Sequence, residues 1–230
     1  MGDGGYSHHR CAGEVHIDIS SENLKNEMES HVKRIVALVG AGLLVLLTGC
    51  SQMNSAATVG STQIPISTVQ KGVDLIMAER AKVGTAGMTL ETGAVLSRGQ
   101  LRFHLISQLL ADVAAEKGLV VTEAEIATRR AQIIAQVGGA AALPKALVGA
   151  GIASSDFTLY LYSVLYSEKL SKLAIAQGAT AATSSTAIQA MVVATAMRVK
   201  VTVNPRYGKW DPTRANVVAS DATSGAVTTK

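Results

Sequence analysis

Residues 111–126 read ADVAAEKGLVVTEAEI, a pattern that ends one helix and begins the next. The first helix is predicted to stop at Gly118, because glycine readily takes the left-handed backbone conformation that closes helices. Thr122 and Glu125 then match a capping box, in which each side chain accepts a hydrogen bond from a backbone N–H group that the new helix leaves unpaired. The stretch therefore predicts two successive helices joined by a short link.

Apolar residues at helical spacing extend this pattern in both directions along the chain. Ser67 is the expected N-cap of the first helix, and Ser97 is the expected start of a second capping box. In the helix that follows Ser97, the core-facing stripe is expected to be Phe103, Ile106, Leu110 and Val113. The predicted helices cover residues 67–83, 97–117, 122–137, 143–148, 155–175 and 185–197.

Short β-forming segments flank the helices. Residues 57–66 predict a strand or hairpin with its turn at Gly60-Ser61, and residues 198–203 alternate in the way typical of a strand. Asn204-Pro205 ends the second segment, and the loop to Trp210 is expected to pack against the bundle. The predicted fold is mainly α, a bundle of about five to six helices with a small pairing of N-terminal and C-terminal β-strands.

A lipoprotein signal is indicated upstream of this bundle. Lys33-Arg34 precedes an apolar run over residues 35–47, and Leu47-Thr48-Gly49-Cys50 looks like a bacterial lipobox. The run is shorter than the roughly 20 residues that a spanning helix needs, so a signal peptide is favoured over a transmembrane anchor or a core helix. We expect Cys50 to carry the lipid. The chain would then be anchored at the extracytoplasmic face of a membrane, in the outer leaflet of the plasma membrane or facing a periplasm.

The first 31 residues fit poorly in front of such a signal, because they carry several acidic side chains. We therefore expect the true start to lie at Met28 or Val32 rather than Met1. The predicted organisation is a leader over residues 1–49 with its signal peptide at 32–49, a tether at 50–57, a domain at 58–211 and a disordered tail at 212–230.

Catalytic and metal-binding residue types are sparse after the leader. From Cys50 onward the sequence holds a single cysteine, Cys50 itself, and a single histidine, His104, which is expected at the surface or boundary of its helix. A Ser-His-Asp triad would have to use His104, and no G-x-S-x-G elbow or phosphate-binding glycine loop is present. His8, His9, Cys11 and His16 fall in the doubtful leader. We therefore predict no enzyme activity, no cofactor, no metal and no small-molecule substrate.

Nucleic acid is also not an expected partner. The formal net charge is +4 at pH 7, but Lys and Arg are scattered rather than clustered.

The helix over residues 155–175 carries two apolar stripes. One contains Phe157 and Leu161, and the other contains Tyr162 and Tyr166. A helix that is apolar on two sides is either enclosed in a core, which is the favoured interpretation, or keeps one side for a partner. The candidate client-binding residues of this helix are Phe157, Tyr160, Tyr162 and Tyr166. Tyrosine suits a partly solvated contact, because its ring is apolar and its hydroxyl forms hydrogen bonds.

Three segments of the sequence together resemble one family, the SurA/PrsA-like N-terminal chaperone domain of bacterial foldases. These are residues 59–67 (VGSTQIPIS), the stretch at 111–126, and residues 201–211 (VTVNPRYGKWD). They occur in this order, and the resemblance covers about residues 58–211. The resemblance implies a mainly helical domain that holds unfolded polypeptides. The residues after Trp210 are too few for the parvulin domain of those foldases, so prolyl isomerase activity is not expected.

The function implied is a membrane-tethered, ATP-independent chaperone-like lipoprotein that binds unfolded or newly exported polypeptides. The alternative is an envelope lipoprotein of structural role that docks one folded protein. A small enzyme built on polar residues of unfamiliar pattern is a third, less favoured interpretation.

Overall fold

In the computed structural model, residues 54–220 are described, and most of them are helical, which confirms the predicted mainly α class. The helices follow the predicted order, with a single 3-10 turn at Ser154–Asp156 before the fifth. Their bounds are α1 Ile66–Arg80, α2 Gly93–Glu116, α3 Glu123–Gln136, α4 Leu143–Ala150, α5 Phe157–Ala176 and α6 Ser184–Val199.

The predicted pairing of N-terminal and C-terminal strands is also confirmed. Strand β1 (Ser55–Val59) lies between β2 (Thr62–Pro65) and β3 (Val201–Val203), and both pairs are antiparallel. Gly60 makes the β1–β2 turn with φ +57°, a conformation that glycine takes without a Cβ clash. The sheet thus joins the two ends of the helical segment.

Two predicted helix starts are wrong. Helix α1 begins at Ile66 directly after Pro65, whose φ of −64° already suits a helix start, so Ser67 lies inside the helix. Helix α2 begins at Gly93, four residues before Ser97, and the Ser97 hydroxyl donates to the Gly93 carbonyl at 3.1 Å. Serine therefore bonds back within the helix here instead of capping it.

The main core runs along α2, but along a face rotated from the predicted one. Leu101, Leu105 and Leu109 are fully buried together with Leu110 and Val113, whereas the predicted core residues Phe103 and Ile106 are only half-buried. Helix α2 packs against α1, α5 and α6. Because α2 is covered from several sides, a single stripe at helical spacing does not identify its core face.

A hairpin that the sequence did not predict follows the main sheet. Strands β4 (Lys209–Asp211) and β5 (Asn216–Val218) pair antiparallel, and Val217 is buried in the main core. The disordered tail was therefore predicted to start too early, since residues 212–220 are structured. Strands of three residues are too short for alternation to reveal them.

The loop before this hairpin packs as predicted. The Tyr207 side chain is buried, Trp210 is half-buried against the core, and the Asn204 amide donates to the Ser55 carbonyl at 3.2 Å. Other predictions fall outside the described residues: the leader, the lipobox with Cys50, the start of the tether and the tail over residues 221–230.

Candidate functional site

A cleft with a volume of about 750 Å³ that opens to solvent lies in the described part of the chain. Its walls are the connection at residues 81–92, one face of α2, the end of α4 and one face of α5. The apolar residues that line it include Leu90, Phe103, Ile106, Ile152, Tyr160 and Val164.

The cleft has half-buried apolar side chains at its opening. Phe103 of α2 and Val164 of α5 both line it and are both half-buried. Tyr160 also lines it, with its ring stacked on the Phe157 ring at 6.5 Å between centroids. Apolar surface held at an opening is what a ligand or a peptide side chain can cover.

Small polar side chains lie between these apolar groups. The Ser163 hydroxyl of α5 donates to the Ser107 hydroxyl of α2 at 2.8 Å, and Ser167 lines the same face one turn further on. These short side chains leave the space that larger residues would fill. Ser163 and Ser167, four residues apart in the mostly apolar stretch 157–167 of α5, are the sequence signal that could have indicated the cleft.

Charges of both signs border the cleft. Arg102 is exposed on the α2 side, and Glu168 on the α5 side pairs with Arg129 of α3 at 2.5 Å. Arg80, at the end of α1, donates to the Glu91 carbonyl at 2.7 Å and thereby secures the connection over residues 81–92. The polar border around an apolar centre resembles the anatomy of protein interfaces.

The structure brings only one of the four predicted client-binding residues to the cleft, namely Tyr160. Phe157 is 3 % exposed in a second hydrophobic cluster and cannot offer its ring to a partner, which corrects its assignment. Tyr166 packs between the two main clusters. The enclosed-core interpretation of α5 is thus the better description of both residues.

Tyr162 lies at the α3–α5 contact. Its hydroxyl donates to the Glu123 carboxylate at 3.0 Å, and its ring lies 6.1 Å from that of Tyr166. The hydrogen bond to Glu123 is the main reason that the pKa of Tyr162 is raised above its usual value. Tyr162 therefore serves the attachment of α3 in this structure rather than the cleft.

His104 is buried, which overturns the expected surface or boundary position. Only 9 % of it is exposed, and its Nε2 atom lies 3.5 Å from Oδ2 of Asp156 in the 3-10 turn. Within residues 54–220, no group of three or more His, Cys, Asp and Glu side chains is placed to hold a metal ion. Over the same residues, none of the helices has the length and apolarity to cross a membrane.

Comparison of the chain with family models, curated proteins and solved structures finds no significant match to any of them. Function is therefore inferred from the chain's own residues and geometry.

Proposed function

We propose that this protein is a membrane-tethered, extracytoplasmic, ATP-independent chaperone-like lipoprotein that binds unfolded or newly exported polypeptides. The observation that supports this most is the open cleft of about 750 Å³, with the half-buried side chains of Phe103, Tyr160 and Val164 around small serines. A client segment places one or two apolar side chains against these residues.

The size of the cleft suits weak, reversible binding. Burying one large apolar side chain gains roughly 1.5–3 kcal/mol, so two such side chains gain about 3–6 kcal/mol before the cost of ordering the client. A net gain near 4 kcal/mol corresponds to a Kd of about 1 mM, and additional backbone contacts tighten it. Binding of this strength is released without ATP, which is what a transient holdase requires.

In this proposal, the lipid on Cys50 holds the protein at the membrane surface. A chain moored at the membrane surface meets polypeptides as they emerge from export, and a high local concentration offsets a weak affinity for each segment. The proposal does not include prolyl isomerase activity.

Aggregation of a chemically denatured, non-native client tests this function. The full chain, purified in mild detergent, is mixed with the client at several-fold molar excess and light scattering is followed. We expect suppression by the wild type and a clear loss of suppression for Phe103→Ser. The matched control is Met197→Ser, because Met197 is 56 % exposed on α6 and lies outside the cleft.

Each outcome of this assay discriminates between hypotheses. No suppression by the wild type contradicts holdase activity. Equal suppression of aggregation by both variants would mean that clients bind outside the cleft. Capture of one stoichiometric folded partner from cells, with no effect on aggregation, favours the alternative of an envelope lipoprotein that docks a single protein.

A further inference from the structure

Three polar side chains with metal-ligand atoms converge behind the cleft. Gln100 and His104 lie four residues apart on α2 and so share one face of that helix, and Asp156 approaches from the 3-10 turn before α5. Gln100 is 2 % exposed and His104 is 9 % exposed, while the Asp156 side chain is 17 % exposed. Polar groups at this depth normally have partners.

The orientation of the Gln100 amide is fixed by a hydrogen bond. Its Nε2 donates to the Gly151 carbonyl at 2.7 Å, and only the amino end of the amide can make that bond. The carbonyl oxygen Oε1 therefore faces the other way, toward Gly72 of α1. Among the described residues, Oε1 has no hydrogen-bond partner although it is buried.

Gly72 provides the room in front of these oxygens. A Cβ atom at position 72 would lie 2.9 Å from Gln100 Oε1 and 3.7 Å from Asp156 Oδ2. Both oxygens therefore point at the same small region beside the α1 backbone, and a side chain larger than glycine would intrude on it.

The distance between His104 and Asp156 fits a shared metal better than a direct bond. Their 3.5 Å separation is long for an N–H···O hydrogen bond, and within residues 54–220 the Nε2 atom has no hydrogen-bond partner. Two ligands on a tetrahedral zinc ion, with bonds of 2.0–2.2 Å, lie roughly 3.4 Å apart. The pair is thus already spaced as two such ligands would be.

We propose that His104 Nε2, Asp156 Oδ2 and Gln100 Oε1 form a binding site for one divalent transition-metal ion, with zinc the preferred ion. Imidazole and carboxylate are both common zinc ligands, and the bond from Gln100 to Gly151 is the kind of outer contact that orients a ligand. The ion ties α2, which is one wall of the cleft, to the turn that leads into α5, which carries another. The sequence predicted no metal site, because only one histidine and one cysteine are present from Cys50 onward, whereas this site uses a carboxylate and an amide oxygen beside the histidine.

Zinc binding to the full chain tests this site by calorimetric titration and thermal unfolding. The histidines and cysteines outside residues 54–220 are replaced by serine so that they do not compete: His8, His9, Cys11, His16, His31 and Cys50. We expect one zinc ion per chain and a higher Tm with zinc than with a chelator, because an ion that binds only the folded state stabilises it.

Substitution of the ligands completes the test. Asp156→Asn and His104→Gln should each lower zinc affinity at least tenfold, whereas Asp112→Asn should leave it unchanged. Asp112 is the matched control because it lies on α2 and bonds Gln108 instead. If His104→Gln does not fold, the test rests on Asp156→Asn, which should still fold because the Asp156 side chain is partly exposed. Absence of zinc binding, or equal affinities for Asp156→Asn and Asp112→Asn, overturns the proposal.

Discussion

The Glu125 carboxylate on α3 accepts a hydrogen bond from the Lys169 ammonium group on α5 at 2.6 Å. The Arg129–Glu168 ion pair and the Tyr162–Glu123 hydrogen bond join the same two helices. Because Ile126 is the only residue of α3 that is fully buried, polar contacts carry much of its attachment. The stability of this attachment should therefore depend on pH.

Acid should weaken the fold through Glu125. The Lys169 hydrogen bond first, and then the bond from the Thr122 backbone, lower the pKa of Glu125 from 4.5 to about 2. A carboxyl group whose folded-state pKa is lowered stabilises the fold above its unfolded pKa, and this contribution is lost as pH falls from about 4.5 toward 2. We expect the Tm of the wild type to fall across this window more steeply than that of Glu125→Gln.

The control for this pH experiment is Glu91→Gln, which removes an exposed carboxylate outside α3. It should retain the wild-type acid response. Identical slopes for Glu125→Gln and the wild type would show that Glu125 does not contribute.

Loss of the α3 cap should destabilise the protein. The Thr122 hydroxyl accepts from the Glu125 backbone at 3.3 Å, and the Glu125 carboxylate accepts from the Thr122 backbone at 2.8 Å. Thr122→Ala should lower the free energy of unfolding by about 1 kcal/mol, the usual value of a cap. Thr128→Ala, at an exposed site inside α3, should change it little in the same urea titration. Equal effects would contradict the capping role.

Removal of the Tyr207 hydroxyl, unlike loss of the α3 cap, should not destabilise the protein. It is buried without a hydrogen-bond partner among the described residues, and burial raises the pKa of Tyr207. Removing an unpaired buried hydroxyl removes a desolvation cost of about 1–3 kcal/mol. Tyr207→Phe should therefore keep or raise the free energy of unfolding. A decrease greater than about 1 kcal/mol would mean that the hydroxyl has a stabilising partner.

Gly208 should tolerate no side chain. Its φ is +133°, and a Cβ atom there would lie 2.1 Å from the Val218 carbonyl oxygen. Gly208→Ala should cost more than about 2 kcal/mol in chemical unfolding, because β4 and β5 must separate or the backbone must change. Gly84→Ala is the matched control, since nothing lies within 4 Å of its Cβ position and its φ is ordinary. Equal stability of the two variants would refute this role of Gly208.

Local signals predicted much of the fold correctly. The Thr122 capping box and the Gly60 turn rest on residues close in sequence, whereas the pairing of β1 with β3, which was also predicted, joins strands at the two ends of the helical segment. Ser97 failed as a cap because its hydroxyl bonds the Gly93 carbonyl within the helix, a use of serine that a sequence pattern does not distinguish from capping. Ser67 failed because α1 already begins at Ile66, directly after Pro65.

The cleft and the His104 environment could not be predicted in the same way. Whether Phe103 faces the core or an opening depends on where α4 and α5 pack against α2, which is set by distant contacts. His104 was expected at the surface because it lies off the apolar stripe, but a 3-10 turn more than 50 residues away brings Asp156 to it. Long-range packing decided both positions.

Photo-crosslinking from the cleft tests the chaperone proposal most directly. Phe103 is replaced by p-benzoylphenylalanine in the full chain in cells, and Met197 is replaced in the same way as the control, since it is exposed on α6 outside the cleft. We expect position 103 to capture many different exported polypeptides in their unfolded state and position 197 to capture few. Equal capture at both positions, or a single folded protein at position 103, would contradict client binding in the cleft.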